Sequence, residues 1–114
     1  MRGESEDIQM TRFADIQKIL DDAVQNGNVG PPHGAFWRNT TRDQFVNKKV
    51  LGCPIIHSQG GKFVGAKSLL VTILKAPVTD CNNIARPRMP FGFDPVPADK
   101  IQTISDWIDA QCPP

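Results

Sequence analysis

A proline-rich stretch near the end of the chain, residues 77–97, places the strongest constraint on the fold. It contains five prolines in 21 residues, and each proline fixes its own φ angle and removes a backbone hydrogen-bond donor. A long helix or a central strand therefore cannot pass through this stretch. A loop of this length in a compact domain is usually functional or disordered. The prolines reduce the entropy lost on ordering, which favours a functional loop.

An amphipathic helix is predicted directly after this loop, over residues 98–111. Its apolar stripe consists of Ile101, Ile104 and Ile108, with Trp107 at the edge. Pro97 suits the first turn of the helix, because its missing N–H removes no intrahelical hydrogen bond there. The end of the chain is therefore expected to close the core.

Three further helices are predicted, over residues 11–26, 41–49 and 66–75. Thr11 can cap the first of them, and Thr41 and Gln44 have the spacing of a capping box for the second. The third contains β-branched residues that would also suit a strand, but no partner strand of comparable quality is found. Residues 1–10 are expected to be a mobile acidic lead-in, and residues 11–114 a single all-α domain.

Charge and hydropathy exclude several classes of partner. The chain of 114 residues has 13 basic and 12 acidic residues and no basic stripe, so a nucleic-acid partner is not expected. No apolar run approaches the roughly 20 residues that a membrane span needs. The first ten residues lack the apolar core of a signal peptide. We therefore expect a cytoplasmic protein, or a periplasmic one if a signal peptide has already been removed.

The three cysteines, Cys53, Cys81 and Cys112, do not form a Cys-x-x-Cys motif, which excludes a zinc ribbon or a thioredoxin-type site. One disulfide with a free thiol would fit an oxidising compartment, and three buried inert thiols fit equally well. An enzyme is not expected. The nearest approach to a nucleophile pair is Cys53 with His57, which are separated by a proline and two isoleucines.

Four short motifs follow one another along the chain: Gly52-Cys-Pro-Ile-Ile56, Ser68-Leu69-Leu70, Arg88-Met89-Pro90, and the helix from Ile101 to Ile108. Their order resembles class I cytochromes c, and most closely the planctomycete-type cytochrome c-like domains. The resemblance covers about residues 11–112. It implies a small helical cytochrome c-like fold with long proline-rich loops, in which the first and last helices cross.

The chain departs from this family at the haem attachment site. The family motif Cys-x-x-Cys-His would fall on Val29-Gly-Pro-Pro-His33, where Val29 and Pro32 replace both cysteines. Covalent attachment of haem in the usual way is therefore excluded on chemical grounds. Phe36 and Trp37 follow this segment, and each aromatic side chain can bury about 150–250 Å². We predict that these two rings fill the former haem space.

Two functions follow from the resemblance. The preferred hypothesis is a non-catalytic accessory or protein-interaction module without a cofactor, for example within a redox enzyme system. Its surface would be the side chains that the prolines hold outward, because arginine, methionine and aromatic residues are enriched at interfaces: Arg86, Arg88, Met89, Phe91 and Phe93. The alternative is an electron-transfer or metal-binding domain that holds non-covalent haem or copper through His33 and Met89, since imidazole and thioether suit both.

Overall fold

The computed structural model of the chain describes residues 11–27 and 34–114. Within these residues there are four α-helices: α1 (Phe13–Ala23), α2 (Arg42–Val46), α3 (Leu69–Lys75) and α4 (Ala98–Asp109). A short 3₁₀ helix, Gly65–Lys67, directly precedes α3. Each α-helix lies inside its predicted range, so the positions of the four helices are confirmed. The predicted lead-in, residues 1–10, lies outside the described residues.

Three small antiparallel hairpins in the described residues make the fold mixed α/β, so the predicted all-α class is wrong. They are β1 (Lys49–Val50) with β2 (Cys53–Pro54), β3 (His57–Gln59) with β4 (Lys62–Val64), and β5 (Val78–Thr79) with β6 (Ala85–Arg86). Helix accounts for 39% and strand for 14% of the described residues. Strands of two or three residues are too short to show the alternating apolar pattern by which strands are recognised in a sequence.

Residues with left-handed backbone angles close the first two hairpins. Leu51 (φ 53°) and Gly52 (φ 84°) connect β1 to β2, and Gly60 (φ 63°) and Gly61 (φ 81°) connect β3 to β4. Two successive residues with positive φ are typical of the type I′ turn, whose twist matches that of paired strands. Gly60-Gly61 therefore forms the turn of the second hairpin.

Side chains cap the first turns of α1 and α2. The Oγ1 atom of Thr41 accepts a hydrogen bond from the N–H of Gln44 at 3.1 Å, and the Oε1 atom of Gln44 accepts one from the N–H of Thr41 at 3.0 Å. This confirms the predicted capping box. At α1 the capping residue is Arg12 rather than the predicted Thr11, and its N–H donates to Oδ2 of Asp15 at 2.8 Å.

An aromatic cluster joins α1, α2 and α4 in the core. The ring centroids of Phe13 and Phe45 are 5.2 Å apart, and the ring of Trp107 lies 6.1 Å from the first and 6.2 Å from the second. The isoleucine stripe predicted on α4 is buried against this cluster. Trp107, predicted at the edge of that stripe, is only 1% exposed. Its Nε1–H donates to the carbonyl oxygen of Pro113 at 2.9 Å, which satisfies the one polar group of the ring.

The helices are short. The longest one described, α4, has 12 residues, whereas an apolar helix needs about 20 residues to cross a bilayer. No helix within residues 11–27 and 34–114 is long and apolar enough to span a membrane.

The 3₁₀ helix approaches α4 so closely that a side chain at residue 65 has no room. A Cβ atom added to Gly65 would overlap the carbonyl oxygen of Ser105 and lie 2.5 Å from its Oγ. The N–H of Gly65 also donates to Oδ1 of Asp109 at 2.8 Å, which holds the two backbones together. Glycine is required here because of the close approach of two backbones.

Replacing Gly65 with alanine is therefore expected to lower the free energy of unfolding by about 1–3 kcal/mol, since the added methyl group must push the 3₁₀ helix away from α4. Urea denaturation measures the loss. Gly27→Ala is the matched control, because its added Cβ meets one described atom, the carbonyl oxygen of Val24 at 3.2 Å, which need move by only a few tenths of an ångström. We expect the control to cost about 1 kcal/mol or less, and equal losses in the two variants would contradict the packing described.

Candidate functional site

The segment that contains Met89, residues 86–93, packs over α3, and we call it the Met89 loop. The N–H of Met89 donates to the carbonyl oxygen of Ile73 in α3 at 2.9 Å, and the N–H of Phe93 donates to the carbonyl oxygen of Pro90 at 3.1 Å. The peptide bond between Met89 and Pro90 is cis. Met89 and Phe93 are partly buried against the core. The loop is therefore attached to the body of the domain.

An apolar cavity of about 490 Å³ lies between α1, α3, the first hairpin and the Met89 loop. Among the described residues, the charged ones that line it are Asp80 and Arg86. The apolar lining residues are Leu20, Ala23, Val24, Phe36, Trp37, Val50, Leu51, Ile55, Leu69, Leu70, Ile73, Leu74, Pro87, Met89, Pro90, Phe91 and Phe93. Ligand pockets in proteins typically measure about 300–1,000 Å³ and combine mostly apolar walls with a few polar groups. This cavity has both properties.

Trp37 is fixed in the cavity wall through both its ring and its backbone. Its Nε1–H donates to Oδ1 of Asp21 at 2.8 Å, and its carbonyl oxygen accepts a hydrogen bond from Nε2 of Gln17, also at 2.8 Å. The Trp37 side chain is buried, and the ring of Phe36 meets it edge-on with centroids 5.2 Å apart. The two rings predicted to fill the former haem space thus line the cavity, and open volume remains beside them.

Asp21 anchors this wall as an ionised carboxylate. Burial raises the pKa of Asp21, but hydrogen bonds from Trp37 and Arg38 and the positive charge of Arg38 lower it more, so that the pKa falls below its ordinary value. The Nε atom of Arg38 lies 2.6 Å from Oδ1 of Asp21, and its guanidinium stands over the Trp37 ring at 5.5 Å from the centroid. One carboxylate therefore orients both the ring and the cation above it.

Within residues 11–27 and 34–114, the ion pair between Asp80 and Arg86 is the only charged feature of the cavity wall. The Asp80 side chain is 3% exposed and that of Arg86 is 25% exposed. Nε of Arg86 donates to Oδ2 of Asp80 at 2.9 Å, while Oδ1 accepts from the N–H groups of Asn82 (2.8 Å) and Ile84 (3.0 Å). The hydrogen bond from Ile84 lowers the pKa of Asp80, and those from Arg86 and Asn82 lower it further against the effect of burial.

One disulfide and one free thiol are present in the structure, which selects one of the two cysteine arrangements left open by the sequence. Cys53 in β2 is bonded to Cys81, with Cα atoms 5.8 Å apart. Cys112 is free and buried. Burial raises the pKa of the Cys112 thiol to about 11, although the charge of Arg42 opposes this shift. Because Cys53 is in a disulfide, its pair with His57 has no thiol for nucleophilic catalysis.

The five residues predicted to form an interaction surface differ in exposure. Phe91 is 72% exposed, whereas Met89 and Phe93 are partly buried against the core. Arg86 is held in its ion pair with Asp80. Arg88 is partly buried and does not line the cavity. Four of the five therefore meet at the cavity, and only Phe91 points mainly into solvent.

Met89 is the described half of the predicted ligand pair for haem or copper. Its thioether side chain lines the cavity, whereas His33 lies outside the described residues. Among residues 11–27 and 34–114, no group of three or more His, Cys, Asp or Glu side chains is arranged to hold a metal ion. The described residues thus contribute one thioether ligand, Met89, and the apolar walls of the cavity.

The part of the cavity formed by α3 was missed by sequence reasoning. Leu70 and Leu74 are buried in the core, whereas Leu69 and Ile73 are only half-buried, and all four line the cavity. The sequence signal for this wall was the wide apolar surface of α3. A helix that packs only against the core needs a narrower apolar stripe. No sequence signal identified Asp80.

No protein-family model, curated protein sequence or solved structure matches this chain. The function of the cavity is therefore inferred from its own residues. These residues are apolar except for one ion pair, and they include one thioether.

Proposed function

We propose that this domain is a non-catalytic module that binds an apolar organic molecule, without a covalent bond, in the cavity under the Met89 loop. The observation that supports this proposal is the open volume of about 490 Å³ beside Phe36 and Trp37. Rings that only replaced a lost cofactor would be expected to close that space, because protein interiors are packed about as densely as organic crystals. The cavity therefore favours a ligand-binding domain over an accessory module without a cofactor.

Haem is one ligand whose chemistry the cavity fits. A thioether is a common axial ligand of haem iron, and Met89 lines the cavity among apolar side chains that would cover a porphyrin ring. Haem bound there would supply one-electron transfer. Met89 would hold the iron, and the apolar walls would exclude water. This proposal keeps the resemblance to class I cytochromes c as a hypothesis, with non-covalent binding in place of thioether bonds.

A protein partner is the second candidate occupant, and the rim of the cavity supports it. Among the described residues, the exposed large hydrophobic side chains are Leu51 (38%), Ile84 (46%) and Phe91 (72%). Leu51 and Phe91 also line the cavity. Exposed apolar patches frequently mark ligand-binding or protein-binding sites. The partner in this case would cover the opening rather than enter the cavity.

The disulfide between Cys53 and Cys81 supports an oxidising compartment for this module. Disulfides persist in secreted and periplasmic proteins and are rare in the cytosol, where thiols are kept reduced. We therefore propose a periplasmic location in preference to a cytoplasmic one.

Filling the cavity should weaken binding. The neutral probe N-phenyl-1-naphthylamine fluoresces more strongly in apolar surroundings, and haemin gives a Soret band that shifts on binding. Ile73 lines the cavity and is only half-buried, so Ile73→Phe places a larger side chain in the open volume with little disturbance of the core. We expect its affinity for the neutral probe to fall about tenfold.

Ile84→Phe is the matched control, because Ile84 is 46% exposed and does not line the cavity. We expect its affinity to change by about twofold or less. A separate variant, Met89→Ala, should lose the shift of the haemin Soret band while it still binds the neutral probe. A wild-type protein that binds neither the probe nor haemin would refute the proposed function.

A further inference from the structure

Arg86 brings a positive charge to a cavity whose other described lining residues are apolar, apart from its partner Asp80. Burying an arginine among apolar side chains is costly unless its charge is paired and hydrogen-bonded. Asp80 satisfies the Nε–H group of Arg86. Nη1 and Nη2 of Arg86 are not among the buried side-chain atoms without a partner in the described residues, so they are accessible to solvent or to a ligand.

Asp80 engages Arg86 through a single hydrogen bond, from Nε to Oδ2 at 2.9 Å. Its other oxygen, Oδ1, already accepts two backbone N–H groups, from Asn82 and Ile84. Within the described residues, neither Nη1 nor Nη2 of Arg86 donates a hydrogen bond. Arginine and carboxylate frequently pair through two parallel hydrogen bonds, whereas Asp80 uses Oδ1 for the turn between β5 and β6 and only Oδ2 for Arg86. Asp80 therefore binds Nε of Arg86 and leaves Nη1 and Nη2 available.

We infer that the cavity binds an apolar molecule that carries a negatively charged group, such as a carboxylate, and that Nη1 and Nη2 of Arg86 bind this group. The inference rests on the proposed function and adds the chemical class of the ligand. The apolar body would occupy the space between α1 and α3, and the acidic group would lie beside β6.

Two properties of the site favour this role. Asp80 restrains the guanidinium through Nε, so less side-chain entropy is lost when a ligand binds. The apolar surroundings strengthen a charge-assisted hydrogen bond relative to one in water. Arg86 lines the cavity and its side chain is 25% exposed, so the guanidinium is not sealed from a ligand.

Two fluorescent probes that differ only in one acidic group test the inference. 1-Anilinonaphthalene-8-sulfonate carries a sulfonate, and N-phenyl-1-naphthylamine has the same rings without it. We expect the wild-type protein to bind the sulfonate probe more tightly. In Arg86→Gln the affinity for the sulfonate probe should fall by about 10-fold to 100-fold, as for the loss of a hydrogen bond to a charged group. The affinity for the neutral probe should fall by a much smaller factor, because that probe has no acidic group for Nη1 and Nη2 to bind.

Arg86→Lys is the second variant, because it keeps a charge near Asp80 if the glutamine variant does not fold. Lysine lacks the fork of arginine, so its affinity for the sulfonate probe should still fall more than that for the neutral probe. Thermal melting of each variant verifies that it is folded at the assay temperature. Equal losses for both probes would overturn the inference.

The wild-type result separates this inference from the proposed function. Equal binding of the two probes would overturn the role of Arg86 while leaving a ligand-binding cavity. Binding of neither probe would refute both. Displacement of the bound neutral probe then identifies the kind of molecule that carries the acidic group. For a ligand with a fatty chain, displacement by dodecanoate is compared with displacement by dodecanol. For a ligand with a large ring, protoporphyrin IX is compared with its dimethyl ester. The acid should displace the probe better in at least one pair, and parity in both would count against the inference.

Discussion

Replacing Trp37 with alanine is expected to lower the free energy of unfolding by about 3–5 kcal/mol, the usual cost of removing a large aromatic side chain from a core. The Trp37 side chain is only 4% exposed. The truncation also leaves Asp21 without the hydrogen bond from the ring, although Arg38 still pairs with it. A domain of this size has a total stability of only about 5–15 kcal/mol, so the variant should be severely weakened. Chemical denaturation monitored by circular dichroism measures the loss.

Phe91→Ala provides the comparison for Trp37→Ala, because Phe91 is also aromatic and also lines the cavity but is 72% exposed. We expect it to change the free energy of unfolding by about 0.5 kcal/mol or less. If Trp37→Ala were as mild as Phe91→Ala, Trp37 would not be part of the folding core. A role in binding a partner would then explain that residue better.

Removing the disulfide should be almost as damaging. The double replacement Cys53→Ser with Cys81→Ser opens a loop with a sequence separation of 28 residues. The chain-entropy relation for a loop of this length gives a stabilisation of about 3–4 kcal/mol. The disulfide also ties β2 to the loop that carries Asp80, so its loss should loosen one side of the cavity. We expect a lower melting temperature together with weaker binding of the neutral probe.

A reducing agent supplies the control for the disulfide. Dithiothreitol should lower the stability of the wild-type protein toward that of the double variant and should leave the double variant unchanged. Cys112 is already a free thiol and is buried, so its redox state does not complicate the comparison. A wild-type protein that is equally stable with and without the reductant, with the bond shown to be broken by mass measurement, would contradict the expected contribution.

The helices could be located from the sequence because each has a signal within a few residues. The capping box of Thr41 and Gln44 starts α2, and Pro97 stands directly before α4. The hairpins could not be located in this way. Their strands hold two or three residues each, and the first is closed by Leu51, a residue type that rarely adopts a positive φ. The all-α prediction failed at these segments because pairing, rather than local preference, makes them strands.

The candidate site was predictable only in part. The resemblance to class I cytochromes c brought Met89, Phe36 and Trp37 to one centre, and all three line the cavity. Whether the two rings fill that centre depends on the distance between α1 and α3. The spacing of apolar residues in the sequence does not give this distance. The same holds for Arg86, which was predicted on an outward surface and instead pairs with Asp80 in the cavity wall.

The sequence by itself determined the positions of the helices, and its prolines determined that residues 77–97 contain no helix. These properties depend on the chemistry of single residues and of near neighbours. Only the tertiary structure decided that Cys53 pairs with Cys81, that the hairpins form, and that a cavity of about 490 Å³ remains beside Trp37. These outcomes depend on contacts between residues far apart in the chain, about which local preferences carry no information.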